Sequence, residues 1–151
     1  MLLGAELLDE LVSGAWIAAW PQVRADLALS YVEVGLLLSA PAIVASLVEP
    51  AFGFLGDAGR RRALVRGGGV AFVASLVLVA LSPGFWPLLA ALAVLYPATG
   101  AFVGLSQATL MDAAPEARER NMARWVLAGS VGALAGPLLV GAMARGGLGW
   151  R

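Results

Sequence analysis

The sequence contains no cysteine, no histidine and no lysine among its 151 residues. Without cysteine there are no disulfides, thiolate chemistry or cysteine metal sites, and without histidine the commonest general base and metal ligand is missing. Charged residues are scarce, at 13% against about 25% in soluble domains, whereas hydrophobic residues reach 60%. A soluble fold of this size would have too little polar surface to face water, so the composition argues against a water-soluble enzyme.

The balance of positive and negative charges argues against a further class of function. Ten acidic residues balance ten arginines, and a net charge of zero gives no reason to expect nucleic-acid binding. The N-terminal stretch does not read as a secretory signal, because it lacks a basic start and Glu6, Asp9 and Glu10 interrupt its apolar run. We therefore expect a membrane protein without cofactor or metal, whose solvent is the lipid bilayer.

Long apolar runs dominate what is present. A membrane-spanning helix needs about 20 mostly apolar residues, and five segments separated by short charged or Pro/Gly-containing connections meet this requirement. They are Leu2–Val23, Tyr31–Leu55, Leu64–Ser82, Trp86–Leu110 and Asn121–Ala144. The predicted fold class is an all-α integral membrane protein, a bundle of five transmembrane helices.

The arginines gather at the second and fourth connections. Seven of the ten flank them, namely Arg60, Arg61, Arg62, Arg66, Arg118, Arg120 and Arg124. Because cytoplasmic connections carry an excess of basic residues, we expect the N-terminus in the cytoplasm and residue 151 outside, in the cell inner (plasma) membrane. An odd helix count with no tail predicts that residues 1–151 are the N-terminal membrane bundle (helices 1–5) of a longer chain.

Acidic side chains lie deep within the predicted helices. If Pro21 marks the outer edge, Glu10 is about 16 Å deeper, near the midplane of a hydrocarbon core about 30 Å thick. Glu49 lies about 12 Å inside the cytoplasmic edge at Asp57. A charge at this depth costs at least about 2.5–3.5 kcal/mol unless it faces a cavity or a partner. Glu10, Glu49 and Asp9 are therefore candidate proton-coupling acids; alternatively, they only form hydrogen bonds across the bundle or snorkel toward the membrane interface.

Two predicted helices also carry a polar side. Ser13 and Trp16 continue the side of the acids on the first helix, and Tyr96, Thr99 and Gln107 mark a comparable side on the fourth. A polar side of a membrane-spanning helix faces inward, so these five residues are predicted to line one aqueous cavity. The alternative is that the hydroxyl groups bond to their own backbone and that the tryptophan lies at the membrane interface.

The second connection resembles a known signature. Residues 53–62 read Gly-Phe-Leu-Gly-Asp-Ala-Gly-Arg-Arg-Arg, similar to the G-x-L-x-D-R-x-G-R-R/K loop between helices two and three of the major facilitator superfamily. The positions that match are Gly53, Leu55, Asp57, Arg61 and Arg62. Ala58 and Arg60 depart from the signature, and Gly59 comes one place early. The resemblance implies a gating loop that Asp112 joins; the alternative is a plain basic cytoplasmic loop.

The last predicted helix adds to this resemblance. Gly132, Gly136, Pro137 and Gly141 fit the G-x-x-x-G-P-x-x-G-G motif of helix five in antiporters of that superfamily, from which Val140 departs. Small residues at this spacing also suit close helix packing alone. The opening, in which Glu10 precedes Leu-Val-Ser-Gly, is similar to fosmidomycin-resistance-like exporters. The arginine of helix four in many proton antiporters has no counterpart near Tyr96.

The resemblance implies a partial major-facilitator fold and a transporter rather than an enzyme. The chain is expected to be part of a proton-coupled exporter of small molecules that works by alternating access, with a small-molecule substrate, protons, the bilayer and the missing C-terminal half of its own chain as partners. An alternative is a complete small multi-helix membrane protein that oligomerises into a pore or transporter. An intramembrane aspartyl protease using Asp57 and Asp112 is disfavoured, because Phe54-Leu55-Gly56-Asp57 lacks the G-x-G-D pattern.

Overall fold

The computed structural model describes residues 2–151, and this part of the chain consists of helices and short turns without a strand. Six α-helices are distinguished: α1 (Leu2–Asp26), α2 (Tyr31–Leu55), α3 (Arg61–Leu81), α4 (Phe85–Thr99), α5 (Leu105–Ala113) and α6 (Arg118–Arg145). A π-helical turn, Gly56–Arg60, connects α2 to α3, and a second one, Gly100–Gly104, connects α4 to α5. A 3₁₀ turn at Pro115–Ala117 leads into α6.

These elements join into four continuous helical runs. The runs cover residues 2–26, 31–81, 85–113 and 115–145. The predicted count of five separate helices is therefore not supported, because a π-helical turn, Gly56–Arg60, joins α2 to α3 where a separate connection was expected. The Gly56 N–H donates to the carbonyl groups of Phe52 and Gly53, so the backbone ladder continues into the π-helical turn.

Three of the four runs are long and apolar enough to cross a membrane, and the run formed by α1 is the exception. Acidic residues explain the difference, since α1 contains Glu6, Asp9 and Glu10 within one helical turn and a half.

The run over residues 31–81 bends sharply in its middle. Ala58 (φ −74°, ψ 17°) and Gly59 (φ 82°, ψ 6°) leave the helical conformation, and the left-handed backbone at Gly59 suits a residue without a Cβ atom. Glu49, before the bend, and Gly68, after it, both pack against the turn at residues 100–102. A straight helix of this length would extend about 77 Å, so only a chain that folds back at the bend brings both residues to one place.

A capping box starts α2 after the short turn that ends α1. The Leu29 N–H donates to the Arg24 carbonyl at 2.9 Å. The Ser30 N–H donates to the Glu33 carboxylate at 2.8 Å, while the Glu33 N–H donates to the Ser30 hydroxyl at 3.2 Å. The Arg24 guanidinium lies 3.9 Å from the centre of the Tyr31 ring. These local bonds satisfy the free N–H groups at the helix start.

The chain divides into two compact units, residues 24–105 and residues 2–23 with 106–151. In the unit of residues 24–105, α2 and α3 both pack against α4. Its fully buried side chains include Leu37, Leu88 and Leu92.

The other unit is built on the contact of α1 with α6. A Cβ atom placed on Gly14 would lie 2.8 Å from the Ala133 carbonyl oxygen. Cβ atoms on Gly132 and Gly136 would overlap the carbonyl oxygens of Leu7 and Leu11. Small residues allow membrane helices to approach this closely, so the glycines of α6 define how near its backbone lies to α1.

Large apolar side chains point outward from the helices. Leu47 is 75% exposed, Val70 72% and Leu138 73%. In water such surface would promote aggregation, whereas in a bilayer the lipid chains cover it. The exposed surface therefore agrees with the apolar composition and with a membrane location.

Replacing Gly132 by alanine is expected to destabilise the protein by about 1–3 kcal/mol, because the added methyl group overlaps the backbone of α1. Gly141→Ala is the matched control, since no atom lies within 4 Å of a Cβ atom there. That change should be neutral or stabilising by up to about 1 kcal/mol, the helix-propensity gain of alanine over glycine. Thermal unfolding of the purified protein in detergent measures both, and equal stability of the two variants would contradict the close contact of α1 with α6.

Candidate functional site

Glu6 and Glu10 of α1 face α6. Glu6 and Glu10 are four residues apart and therefore share one face of the helix. A Cβ atom built on Gly129 would lie 2.6 Å from Glu6 Oε1 and 3.3 Å from Glu10 Cγ. A Cβ atom on Gly132 would lie 3.1 Å from Glu10 Cβ. The glycines of α6 thus provide the space in which these side chains lie.

Trp125 of α6 contributes a polar group next to Glu6. Its indole N–H donates a hydrogen bond to the Glu6 carboxylate, and the charged groups acting on Glu6 are the carboxylates of Glu10 and Asp9. The Trp125 side chain is only 4% exposed. In residues 2–151 no group of three or more His, Cys, Asp or Glu side chains is arranged to hold a metal ion. The arrangement therefore offers carboxyl groups and one hydrogen-bond donor.

Neither Glu6 nor Trp125 was among the site residues predicted from the sequence. Counted from Pro21, Glu6 lies about 22 Å in, beyond the midplane and nearer the cytoplasmic edge than Glu10, and Trp125 carries no ionisable group. One signal was present: Trp125, Gly129, Gly132 and Gly136 follow one another at spacings of four, three and four. These spacings place the tryptophan on the glycine face of α6.

Among the predicted cavity residues, Trp16 lies in an aromatic cluster. The centre of its ring is 4.9 Å from that of Trp20 and 6.3 Å from that of Trp150. Its indole nitrogen is buried and has no hydrogen-bond partner within residues 2–151. Ser13 is half-buried one turn earlier on α1. In the same unit, the Gln107 amide lies 3.6 Å from the Met122 sulfur and donates to it.

Glu49 occupies a gap in the unit of residues 24–105. A Cβ atom on Gly100 would lie 2.6 Å from Glu49 Oε1 and 2.7 Å from its Cγ. Gly100 begins the π-helical turn after α4, and the half-buried residues Tyr96 and Thr99 lie in the turn just before it. The side chain of Glu49 therefore packs against the start of a π-helical turn, close in sequence to two predicted cavity residues. Such turns occur frequently at functional sites.

Four of the five predicted gating residues lie around the bend between α2 and α3. The Arg61 guanidinium lies 3.3 Å from the Asp57 carboxylate, and their side chains are 25% and 80% exposed. Gly53 and Arg62 are exposed on either side of this ion pair. Asp112 is exposed near the end of α5 and belongs to the other unit. The ion pair thus joins a residue before the non-helical backbone of the bend to a residue after it.

The residues of the helix-five motif fall into two groups. Gly132 and Gly136 contact the backbone of α1, and Pro137 Cδ would lie 3.0 Å from a Cβ atom on Gly14. Gly141 lies further along α6, where a Cβ atom would meet nothing within 4 Å. The first three residues of the motif therefore lie at the helix contact, and Gly141 does not.

Comparison with known proteins gives one match. The family described as Major Facilitator Superfamily matches residues 2–151. Neither curated proteins nor solved structures match the chain significantly. The matched range includes the acids of α1, the bend between α2 and α3 and the glycines of α6.

A double-mutant cycle tests the contact between Glu49 and Gly100. Gly100→Ala is expected to destabilise the protein by about 1–3 kcal/mol, because the new methyl group overlaps the Glu49 side chain. Glu49→Ala should relieve that overlap, giving a coupling of about 0.5–3 kcal/mol between the two sites. Gly104→Ala, in the same π-helical turn but with no atom within 4 Å, is the control. Additive effects in thermal unfolding would show that the two residues do not touch.

Proposed function

Because the chain belongs to the Major Facilitator Superfamily, a family of transporters that bind small-molecule substrates, we propose that it is the N-terminal part of a proton-coupled exporter that works by alternating access. Transporters of this fold rock two halves around a site at the bilayer midplane. We propose that residues 1–151 supply helices of one half and that the C-terminal half completes the site. The acids of α1 packed against the glycines of α6 are the observation that carries the coupling proposal, since an intramembrane acid needs a partner or a proton.

We propose that the chain crosses the membrane five times. The run over residues 31–81 is long enough for two crossings of a core about 30 Å thick, and it folds back at Gly59 next to a group of arginines. The remaining crossings are α1, residues 85–113 and α6. With the basic connections in the cytoplasm, this topology has the N-terminus inside and residue 151 outside the plasma membrane.

We propose that the substrate pathway is lined by the polar sides of α1 and of the run over residues 85–113, namely Ser13, Trp16, Tyr96, Thr99 and Gln107. Similarity of the first helix to fosmidomycin-resistance-like exporters supports export rather than import. The substrate is a small molecule with polar groups that hydroxyl, amide and indole side chains bind.

We propose that the bend between α2 and α3 is part of the gate on the cytoplasmic side. The Asp57–Arg61 ion pair supports this role, because it joins two ends of a bend whose backbone leaves the helical conformation. Gly53 and Arg62 complete the loop, and we propose that Asp112 joins it in one of the two states. The bend-permitting Pro137 in α6 is a further element that differs between these states.

The topology predicts where reporters fused to the chain will lie. Fusions after Arg66 and after Arg120 should report a cytoplasmic location, because both follow basic connections. A fusion after Ser82 should report an external location, and it also tests whether residues 31–81 cross twice. A cytoplasmic location after Ser82 would contradict the five crossings.

The coupling proposal predicts different results for two acids. A growth-inhibition panel first identifies a compound that the expressed protein exports, and everted membrane vesicles then measure its transport under a pH gradient. Glu10→Gln should reduce proton-driven transport by at least about 100-fold, the effect of removing a proton-transfer group, while binding and exchange of the compound remain. Glu49→Gln should reduce it less. Normal transport by Glu10→Gln with loss in Glu49→Gln would reverse the assignment.

A further inference from the structure

The hydrogen bond between Trp125 and Glu6 joins α1 to α6 by a polar contact that the glycine packing alone does not require. Glu6 carries the acceptor on α1, and Trp125 carries the donor on α6. The carboxylate lies where Gly129 has no side chain, with Oε1 2.6 Å from the position of a Cβ atom. Because Trp125 is 4% exposed, neither the ring nor its N–H can easily exchange this partner for water.

The strength of this hydrogen bond depends on the charge of Glu6. Hydrogen bonds to an ionised carboxylate are roughly twice as strong as those between neutral groups. On α1 the charged groups facing Glu6 are Asp9 and Glu10, both acids, and from α6 the group acting on it within the described residues is the neutral indole N–H. Ionisation of Glu6 therefore strengthens its bond to α6 while the neighbouring carboxylates oppose the charge.

We propose that Trp125 is a positioning residue for proton coupling: it holds the ionised Glu6 carboxylate against α6 and releases it when Glu6 takes a proton. The contact between α1 and α6 is thereby stronger when Glu6 is ionised and weaker when Glu6 is protonated. This inference rests on the proposed proton-coupled transport, and it adds Glu6 and Trp125 to a mechanism in which Glu10 alone was the leading acid.

Spin labels on α1 and α6 test the proposal without a substrate. Leu8 and Leu134 are 50% and 71% exposed, and this chain has no cysteine of its own to interfere. Cysteines at these two positions carry the labels in the natural protein reconstituted in lipid, after any cysteine outside residues 1–151 has been replaced. Electron-spin distance measurements across a pH series then report the separation of the two helices.

The unaltered protein should show a distance distribution that changes with pH at one midpoint. Trp125→Phe keeps the ring but loses the N–H donor, and it should abolish that change or move its midpoint by about one pH unit. Trp125→Tyr returns a donor as a hydroxyl group and should restore part of the pH response. Glu6→Gln should also remove the response, whereas Trp86→Phe, at a tryptophan that is 74% exposed, should leave it intact.

A pH response in Trp125→Phe equal to that of the unaltered protein would overturn the proposal, and so would a helix separation in the unaltered protein that does not vary with pH. Should Trp125→Phe fail to fold, Glu6→Gln carries the same test from the other partner. Vesicle transport by the unaltered protein separates the two ideas. Transport that does not depend on the pH gradient refutes the proposed function, whereas proton-driven transport with an unchanged response in Trp125→Phe refutes only the role of Trp125.

Discussion

The backbones of α1 and α6 approach each other closely because Gly14, Gly132 and Gly136 carry no side chains at their points of contact. In a bilayer there is no hydrophobic gain from bringing two apolar helices together, so association depends on van der Waals packing and polar contacts. The short distance between the backbones brings the donor of Trp125 within reach of Glu6. The chemistry proposed for α1 therefore depends on the absence of side chains on α6.

Carboxylates occupy glycine gaps in both units. Glu6 Oε1 lies 2.6 Å from the place of a Cβ atom at Gly129, and Glu49 Oε1 lies at the same distance from that place at Gly100. An acid in an apolar protein is costly unless it is partnered or hydrated, and a gap in a helix surface brings it close to backbone dipoles and neighbouring donors. At Gly129 and Gly100 the protein thus accommodates an acid by removing volume from the opposite helix.

Much of the fold could be predicted from composition and hydropathy, because the bilayer leaves few alternatives to helices. The helical membrane character and the family are confirmed, and α2 has the bounds predicted for it. The count of five separate helices is not supported, because hydropathy marks a charged connection but does not show that a bent π-helical turn joins its two helices. The pairs Glu6–Trp125 and Glu49–Gly100 join residues of different helices. Periodicity gives the face of one helix but not its rotation against another, so these contacts required the structure.

The pairing of Glu6 with Trp125 has a consequence for the order in which the protein is made. Among the described helices, α1 with Glu6, Asp9 and Glu10 is synthesised first, whereas its partner α6 is made last. Throughout that interval the carboxylates lack the donor and the glycine surface that later accommodate them, and a lone charge in hydrocarbon is unfavourable. We therefore expect α1 to remain at the lipid–water boundary or within the insertion machinery, and to take its final depth only when α6 arrives.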